Sequence, residues 1–343
     1  MVVECPVRLF AGRIETTVLV QKFYLLVSIR RFAATRPTKY TGAAMQSFSR
    51  GWSFLKQAWQ MAFKDKDLLK PSIYALVVGL IVSVIGIIPI VGAAFLFSGS
   101  QFGNIVIGVM GAIMVFVQFV VSYVFSAMTV YLIYGYLAEG DGRMDKAWAV
   151  VRRDFFDILT LAAASTAVNL LKNAANSRRG RGGIVAGLAR GATNLLSALW
   201  TEASYLILPA MVIDDLNLKD GMQRILNITK QNLLLIGIST VGVRWVTGLI
   251  GFVLGFGGLV VAVAIGGGAA YLSGGNMAIS IVGIAIGAMI FFTLVVVASV
   301  ISSYTSTAYH TCLYIWAREV EKAQVAGQPL QVAAPGPLAA VLG

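Results

Sequence analysis

Charge, histidine and cysteine are all scarce in this chain of 343 residues. Asp, Glu, Lys and Arg together make up 12% of it, against about one residue in four for ordinary soluble domains, so a soluble globular fold is excluded first. The single histidine, His310, stands in an aromatic and hydroxyl-rich stretch with no acidic neighbour in sequence, which reads as a packed or hydrogen-bonded residue rather than a catalyst. The two cysteines, Cys5 and Cys312, lie far apart and form no C-x-x-C, so neither a disulfide framework nor a zinc site is encoded, and Cys312 reads as a small apolar packing residue. No H-E-x-x-H, EF-hand loop or Walker lysine occurs, and the glycine-rich "RRGRGG" follows no strand and opens no βαβ unit. The expectation is a protein that is not an enzyme and needs no cofactor or metal.

What the chain has instead is apolar mass: 58% hydrophobic residues and a mean hydropathy of +0.80. Its charges fall in blocks, leaving residues 71–138 and 245–317, tracts of 68 and 73, without one Asp, Glu, Lys or Arg. One crossing takes about 20 residues, so each tract is too long for one span and fits two joined by a turn. The turns are "SGSQFGN" at 98–104 and "GGGAAYLSGGN" at 266–276, both glycine- and serine-rich and uncharged. The tracts also resemble each other, "SYVFSAMTVYLIYGYLAEG" paralleling "SYTSTAYHTCLYIWAREVE" 181 residues later, which predicts a duplicated helical hairpin.

A charged, partly amphipathic stretch precedes each membrane entry. In the first, Trp52, Leu55, Trp59 and Phe63 recur at helical spacing opposite Lys56, Lys64 and Lys66, the pattern of a helix lying in the membrane interface; an ordinary cytoplasmic helix is the alternative. The net charge of +12 reads as the signature of cytoplasmic loops rather than of nucleic-acid binding, and it places both termini inside.

The middle region strains that rule. Residues 155–171 are short for a crossing and include Asp157 and Asn169, while 192–213 are long enough but carry Glu202 and Pro209. Between them lie Lys172, Arg178, Arg179, Arg181 and Arg190. Two full crossings put this basic loop outside, and two re-entrant segments keep it inside; the strongly apolar second segment favours six crossings. Wherever it sits, the loop reads as a contact for anionic lipid headgroups, together with Lys56, Lys64 and Lys66.

Within the spans, Gly251 and Gly255, and Gly283 and Gly287, form G-x-x-x-G pairs that let helix backbones approach, in one protomer or between protomers. Glu202 lies 12 residues before Asp214, and Arg244 lies 14 residues after Lys230, so both reach about 18–21 Å from one charged connection and are natural partners.

The resulting expectation is an all-α polytopic membrane protein of about six transmembrane or re-entrant helices. Its parts are a basic extension at 1–44, an amphipathic interfacial helix at 45–70, a first hairpin at 71–138, and a middle region at 139–230. A second hairpin at 231–317 and a disordered tail at 318–343 complete the chain. Two function classes fit. One is a non-catalytic structural or interaction component of a membrane assembly, with other membrane subunits or its own copies as partners. The other is a channel or transporter with a midplane polar site at Glu202 and Arg244.

The opening "SFSRGWSFLKQAWQMAFKDKDLLKP" is similar to that of a bacterial family of multi-pass proteins catalogued as domain-of-unknown-function family 6159. Phe48, Ser49, Arg50, Trp52, Lys56, Ala58, Trp59, Asp65, Lys66, Leu68 and Leu69 stand in the family's pattern, and Trp200, Tyr205 and Pro209 match its middle segment. The likeness covers about 45–244 and weakens in the last hairpin, and Glu202 has no assigned place in it. It implies a multi-pass protein of the bacterial inner membrane and carries no activity.

Overall fold

A computed structural model describes residues 40–97, 100–177, 184–274, 276–327 and 332–342, with the side chains of 40–48, 177, 184–186, 188–189, 229–245 and 340–342 outside the described set. The chain divides into two units, Met1–Gln46 and Ser47–Gly343, and the description below concerns the second. Every regular element among the described residues is helical: α1 (Tyr40–Lys64), a 3₁₀ turn (Lys66–Leu68), α2 (Lys70–Leu96), α3 (Gln101–Glu139), α4 (Met144–Arg153), α5 (Phe155–Ser177), α6 (Ile184–Asp214), α7 (Leu218–Leu272), α8 (Met277–Val325) and α9 (Gly336–Leu342). Six segments, one in each of α2, α3, α5, α6, α7 and α8, are long and apolar enough to cross a bilayer. The protein is an all-α, multi-pass membrane protein.

The helix ends follow from local chemistry. Ser100 accepts from the Gly103 N–H to open α3, Asn217 accepts from Asp220 N–H to open α7, and Asn276 accepts from Ala278 N–H to open α8. α3 closes at Gly140, whose φ of 80° is left-handed and whose N–H returns to the Tyr136 carbonyl. In the middle region α5 outruns the expected 155–171, so its candidate span has 22 residues and that of α6 has 25, about 33 and 37 Å of helix. Both match a hydrocarbon core of about 30 Å.

The three hairpins α2–α3, α5–α6 and α7–α8 converge on one end, and the core sits there. It takes Phe54, Ala58 and Met61 of α1, Tyr123 to Ile133 of α3, Ile158 and Leu161 of α5, Ile207 and Met211 of α6, Ile225 of α7 and Tyr304 to Tyr314 of α8. The opposite ends of the outer hairpins are bare, with Leu96 80% and Tyr271 88% exposed, as suits helices whose solvent is lipid. The 181-residue spacing carries burial as well as sequence: Tyr123 and Tyr304, Ala127 and Ala308, and Leu132 and Leu313 are all buried.

The first helix and the tail show detail that the sequence pattern did not resolve. The single apolar stripe of the first helix is divided: Leu55 is buried against the core with Phe54, Ala58, Met61 and Ala62, whereas Trp52 and Phe63 are exposed alongside Lys56 and Lys64. The face turned to α8 carries Phe54 and Trp59, which meet Tyr309 and Tyr304 edge to face, with Ala58 between them. The tail expected to be disordered is helical to Val325, and beyond it Leu338 of α9 is fully buried while Trp316 Nε1 donates to the Val332 carbonyl at 3.3 Å. One buried apolar side chain and one hydrogen bond thus tie the described part of the tail to the rest.

Candidate functional site

Polar side chains gather where α3, α5, α6 and α8 meet. Tyr123 of α3 and Ser165 of α5 share a hydrogen bond of 2.7 Å between their hydroxyls, and Trp200 Nε1 of α6 donates to the same Ser165 oxygen at 2.9 Å. Beside this triple contact a cavity of about 130 Å³ runs between α3, α5 and α6. Ser122, Ser126, Asn169, Ser197, Thr201 and Ser204 supply its polar wall. Trp200, Tyr205 and Leu208 close it. Hydroxyls in a span satisfy themselves on the preceding turn, as Thr201 does by donating to the Ser197 carbonyl and Ser204 by donating to that of Thr201, and each keeps lone pairs for a guest.

Behind Tyr205 lies the histidine. His310 of α8 is buried, its ring stacked on Tyr205 with centroids 4.9 Å apart and met edge-on by Tyr309. Its Nδ1 stands 2.7 Å from the Ser306 carbonyl oxygen, and its Nε2 stands 3.4 Å from Glu202 Oε2. The missing acidic neighbour is therefore supplied by another helix, 108 residues away in sequence. A carbonyl oxygen only accepts, so Nδ1 carries a hydrogen, and in a neutral ring Nε2 would then turn a lone pair toward a carboxylate oxygen. The contact is favourable when the two groups hold one proton more, as imidazolium with carboxylate or as imidazole with carboxylic acid.

The first helix packs beside the same stretch of α8. Trp59 Nε1 of α1 donates to Thr305 Oγ1 at 3.3 Å, the Tyr304 hydroxyl donates to the Ala58 carbonyl at 3.1 Å, and Phe54 meets Tyr309 edge to face. α1 thus flanks the stretch of α8 that leads to His310, and its outer face carries exposed Lys56 and Lys64. α6 and α8 approach so that Glu202 stands beside His310 and Asp214 opposite Arg318, eight residues further along α8. The cavity extends from that level toward Ser197 and Asn169.

Of the other residues singled out by sequence, Arg244 is in α7 with its side chain outside the described residues, and Arg178, Arg179 and Arg181 lie outside them altogether. Arg190 is half-buried on α6, and Lys66 is exposed in the 3₁₀ turn. Gly283 and Gly287 face α7: a Cβ on Gly283 would collide with that of Ala269, and one on Gly287 would lie 2.6 Å from the Ala262 carbonyl oxygen. Gly251 and Gly255 meet nothing within 4 Å among the described residues. The facing seam on α7 is instead Gly258, Ala262, Gly266 and Ala269, a small residue nearly every fourth position that the G-x-x-x-G pattern alone does not pick out.

A second polar cluster lies at the charged end of α6, α7 and α8, and sequence reading missed it. Asp214 accepts from Arg318 at 2.8 Å and from the Tyr314 hydroxyl, with Arg224 Nε 3.7 Å away; Arg224 in turn pairs with Glu321 at 2.8 Å. Although burial opposes its charge, the Tyr314 hydroxyl, Glu321 and Asp214 hold the Arg224 guanidinium above its ordinary range. No family model and no curated protein matches the chain.

Proposed function

We propose that this protein is a non-catalytic channel or transporter that admits a small polar solute to the hydroxyl-lined cavity between α3, α5 and α6, with Glu202 and His310 as a proton-holding pair beside it. The observation that carries this reading is the cavity itself: six hydroxyl or amide side chains turned toward one space between candidate membrane spans. Polar groups are costly in hydrocarbon and mark solute paths when they face a shared cavity. His310 is a poor fit to acyl-transfer catalysis, since a general base needs its free nitrogen aimed at a nucleophile and here that nitrogen faces Glu202. We further place the chain in a bacterial inner membrane with six crossings and both termini cytoplasmic, on the charge distribution and the likeness to family 6159.

Proteoliposome flux tests the reading. Small neutral solutes, anions and cations are offered to wild type, to Glu202→Gln, and to Ser197→Leu, which fills the cavity. Wild type is expected to pass at least one class, Ser197→Leu to lose most of that flux, and Glu202→Gln to change which class passes. Wild-type vesicles as tight as empty ones to all three classes would refute it.

A membrane-assembly role is the second reading, favoured by the open Gly251–Gly255 face of α7, which is shaped for close helix approach and covered by no described residue.

A further inference from the structure

A second cavity, on the opposite side of α3 from Ser165, differs from the first in every respect. It encloses about 540 Å³ between the first turns of α2, the middle of α3 and the short helix α4, within the size range of ligand pockets. Its wall is wholly apolar: Ile73, Tyr74 and Val77 on α2, Phe125 and Met128 on α3, and Met144 and Trp148 on α4. Ile73, Tyr74 and Val77 are each near half-exposed, so the groove is open along the flank of a membrane span.

The groove has a charged end. Met144, Trp148 and Arg152 follow at intervals of four on α4 and form one stripe, two apolar residues lining the groove and a guanidinium about 6 Å further along the helix. Arg152 lies over the Trp148 ring, 5.5 Å from its centroid. The neighbouring cations are engaged elsewhere: Lys70 with Asp67 at 2.6 Å, Arg143 with Asp145 at 3.2 Å and Lys146 with Glu139 at 3.4 Å. Arg152 forms no salt bridge with a described carboxylate, and a guanidinium presents paired donors matched to phosphate oxygens.

We infer that this groove is a binding site for an anionic phospholipid, one acyl chain lying between α2, α3 and Trp148 and the headgroup phosphate meeting Arg152. An apolar trough that ends in a cation with no described carboxylate partner, lying on an aromatic wall, is complementary to an amphiphile with an anionic head, and it opens where such molecules are the solvent. Lys56, Lys64 and Lys66 have no part in it, and neither has the solute cavity.

Fluorescence quenching reads the site directly. The full chain is reconstituted in phosphatidylcholine nanodiscs containing a minor fraction of either brominated-acyl phosphatidylglycerol or brominated-acyl phosphatidylcholine. The Trp148 signal is taken as the difference between each protein and its Trp148→Phe counterpart, since the chain has six tryptophans. Quenching by the anionic lipid is expected to exceed that by the zwitterionic one by about fivefold, the effect of one basic residue at an anionic surface. Arg152→Gln should abolish the preference, Arg152→Lys should retain most of it, and Val77→Trp should weaken quenching by both lipids by filling the trough. Equal quenching in wild type, or a preference that survives Arg152→Gln, overturns the proposal, as does a Trp148 signal that neither lipid reaches.

Discussion

At the scale of single residues, the most informative contacts are those in which a side chain finishes a distant backbone. Asp65 caps the 3₁₀ turn by accepting from Asp67 N–H at 3.0 Å and uses its other oxygen to accept from Gly142 N–H at 2.7 Å, 77 residues away. Asp65 thereby locks the entry of α2 to the connection between α3 and α4. Gly142 is held so closely that a Cβ there would lie 2.7 Å from Leu68 Cδ1 and 2.8 Å from Asp65 Oδ2. Gly142→Ala is therefore expected to destabilise the protein by about 1–3 kcal/mol, the usual cost of overpacking, whereas Asp141→Ala, at an exposed neighbour, should stay within about 0.5 kcal/mol. Thermal unfolding in detergent micelles separates the two; equal melting temperatures would show that the connection yields freely. The same scale explains Asp154, whose burial pushes its carboxyl above the usual range even though Arg153 donates to both of its oxygens.

At the scale of elements, close packing of small residues distinguishes the hairpins from one another. α7 and α8 touch along Gly258, Ala262, Gly266 and Ala269 facing Gly283 and Gly287, so Gly287→Val should pry the pair apart. A Cβ at Gly255 meets nothing described within 4 Å, so Gly255→Val should leave the folded protomer intact. Differential scanning of the two variants is expected to show a loss of several degrees for Gly287→Val alone, and a matching loss for Gly255→Val accompanied by dissociation would place that face between copies. The hairpins themselves were legible in the sequence because a tract of 68 or 73 residues without charge has no stable arrangement except two crossings. Gly283 and Gly287 were legible as packing residues, but not their partners, since a small residue marks where a helix can approach and not which helix does. Glu202 was legible as a residue needing company, yet His310 was not named as that company. Helix depth counted from Asp214 fixes a level along α6 only, and the azimuth and tilt that bring α8 to it arise from packing.

At the scale of the whole molecule, the arginine loop and the hairpin tips make opposing demands on the bilayer. Tyr123 and Ser165 touch, and from there α5 runs 12 residues to Ser177, about 18 Å, while α3 runs 22 residues back to Gln101, about 33 Å. Ser177, the last described residue of α5, therefore lies about 15 Å short of Gln101 along helices whose rise is 1.5 Å per residue. If the far membrane surface lay at Gln101, the middle loop with its arginines would sit in hydrocarbon, at a cost of about 2.5–3.5 kcal/mol for each unpaired charge. If it lies at the middle tip, the apolar ends of α2 and α3 around Leu96 and Phe102 leave the hydrocarbon instead, unless the bilayer is thinned beside the middle hairpin alone. Six full crossings, with the loop on the face opposite the charged core, are the arrangement we expect from the cost of burying these charges. Cysteine labelling decides it: with Cys5 and Cys312 replaced, Gly187→Cys is expected to react with a membrane-impermeant maleimide added outside intact cells, and Lys322→Cys only after the cells are opened. Protection of Gly187→Cys until lysis, with Lys322→Cys behaving as expected, would place the loop inside and reduce the six crossings to four with a re-entrant middle hairpin.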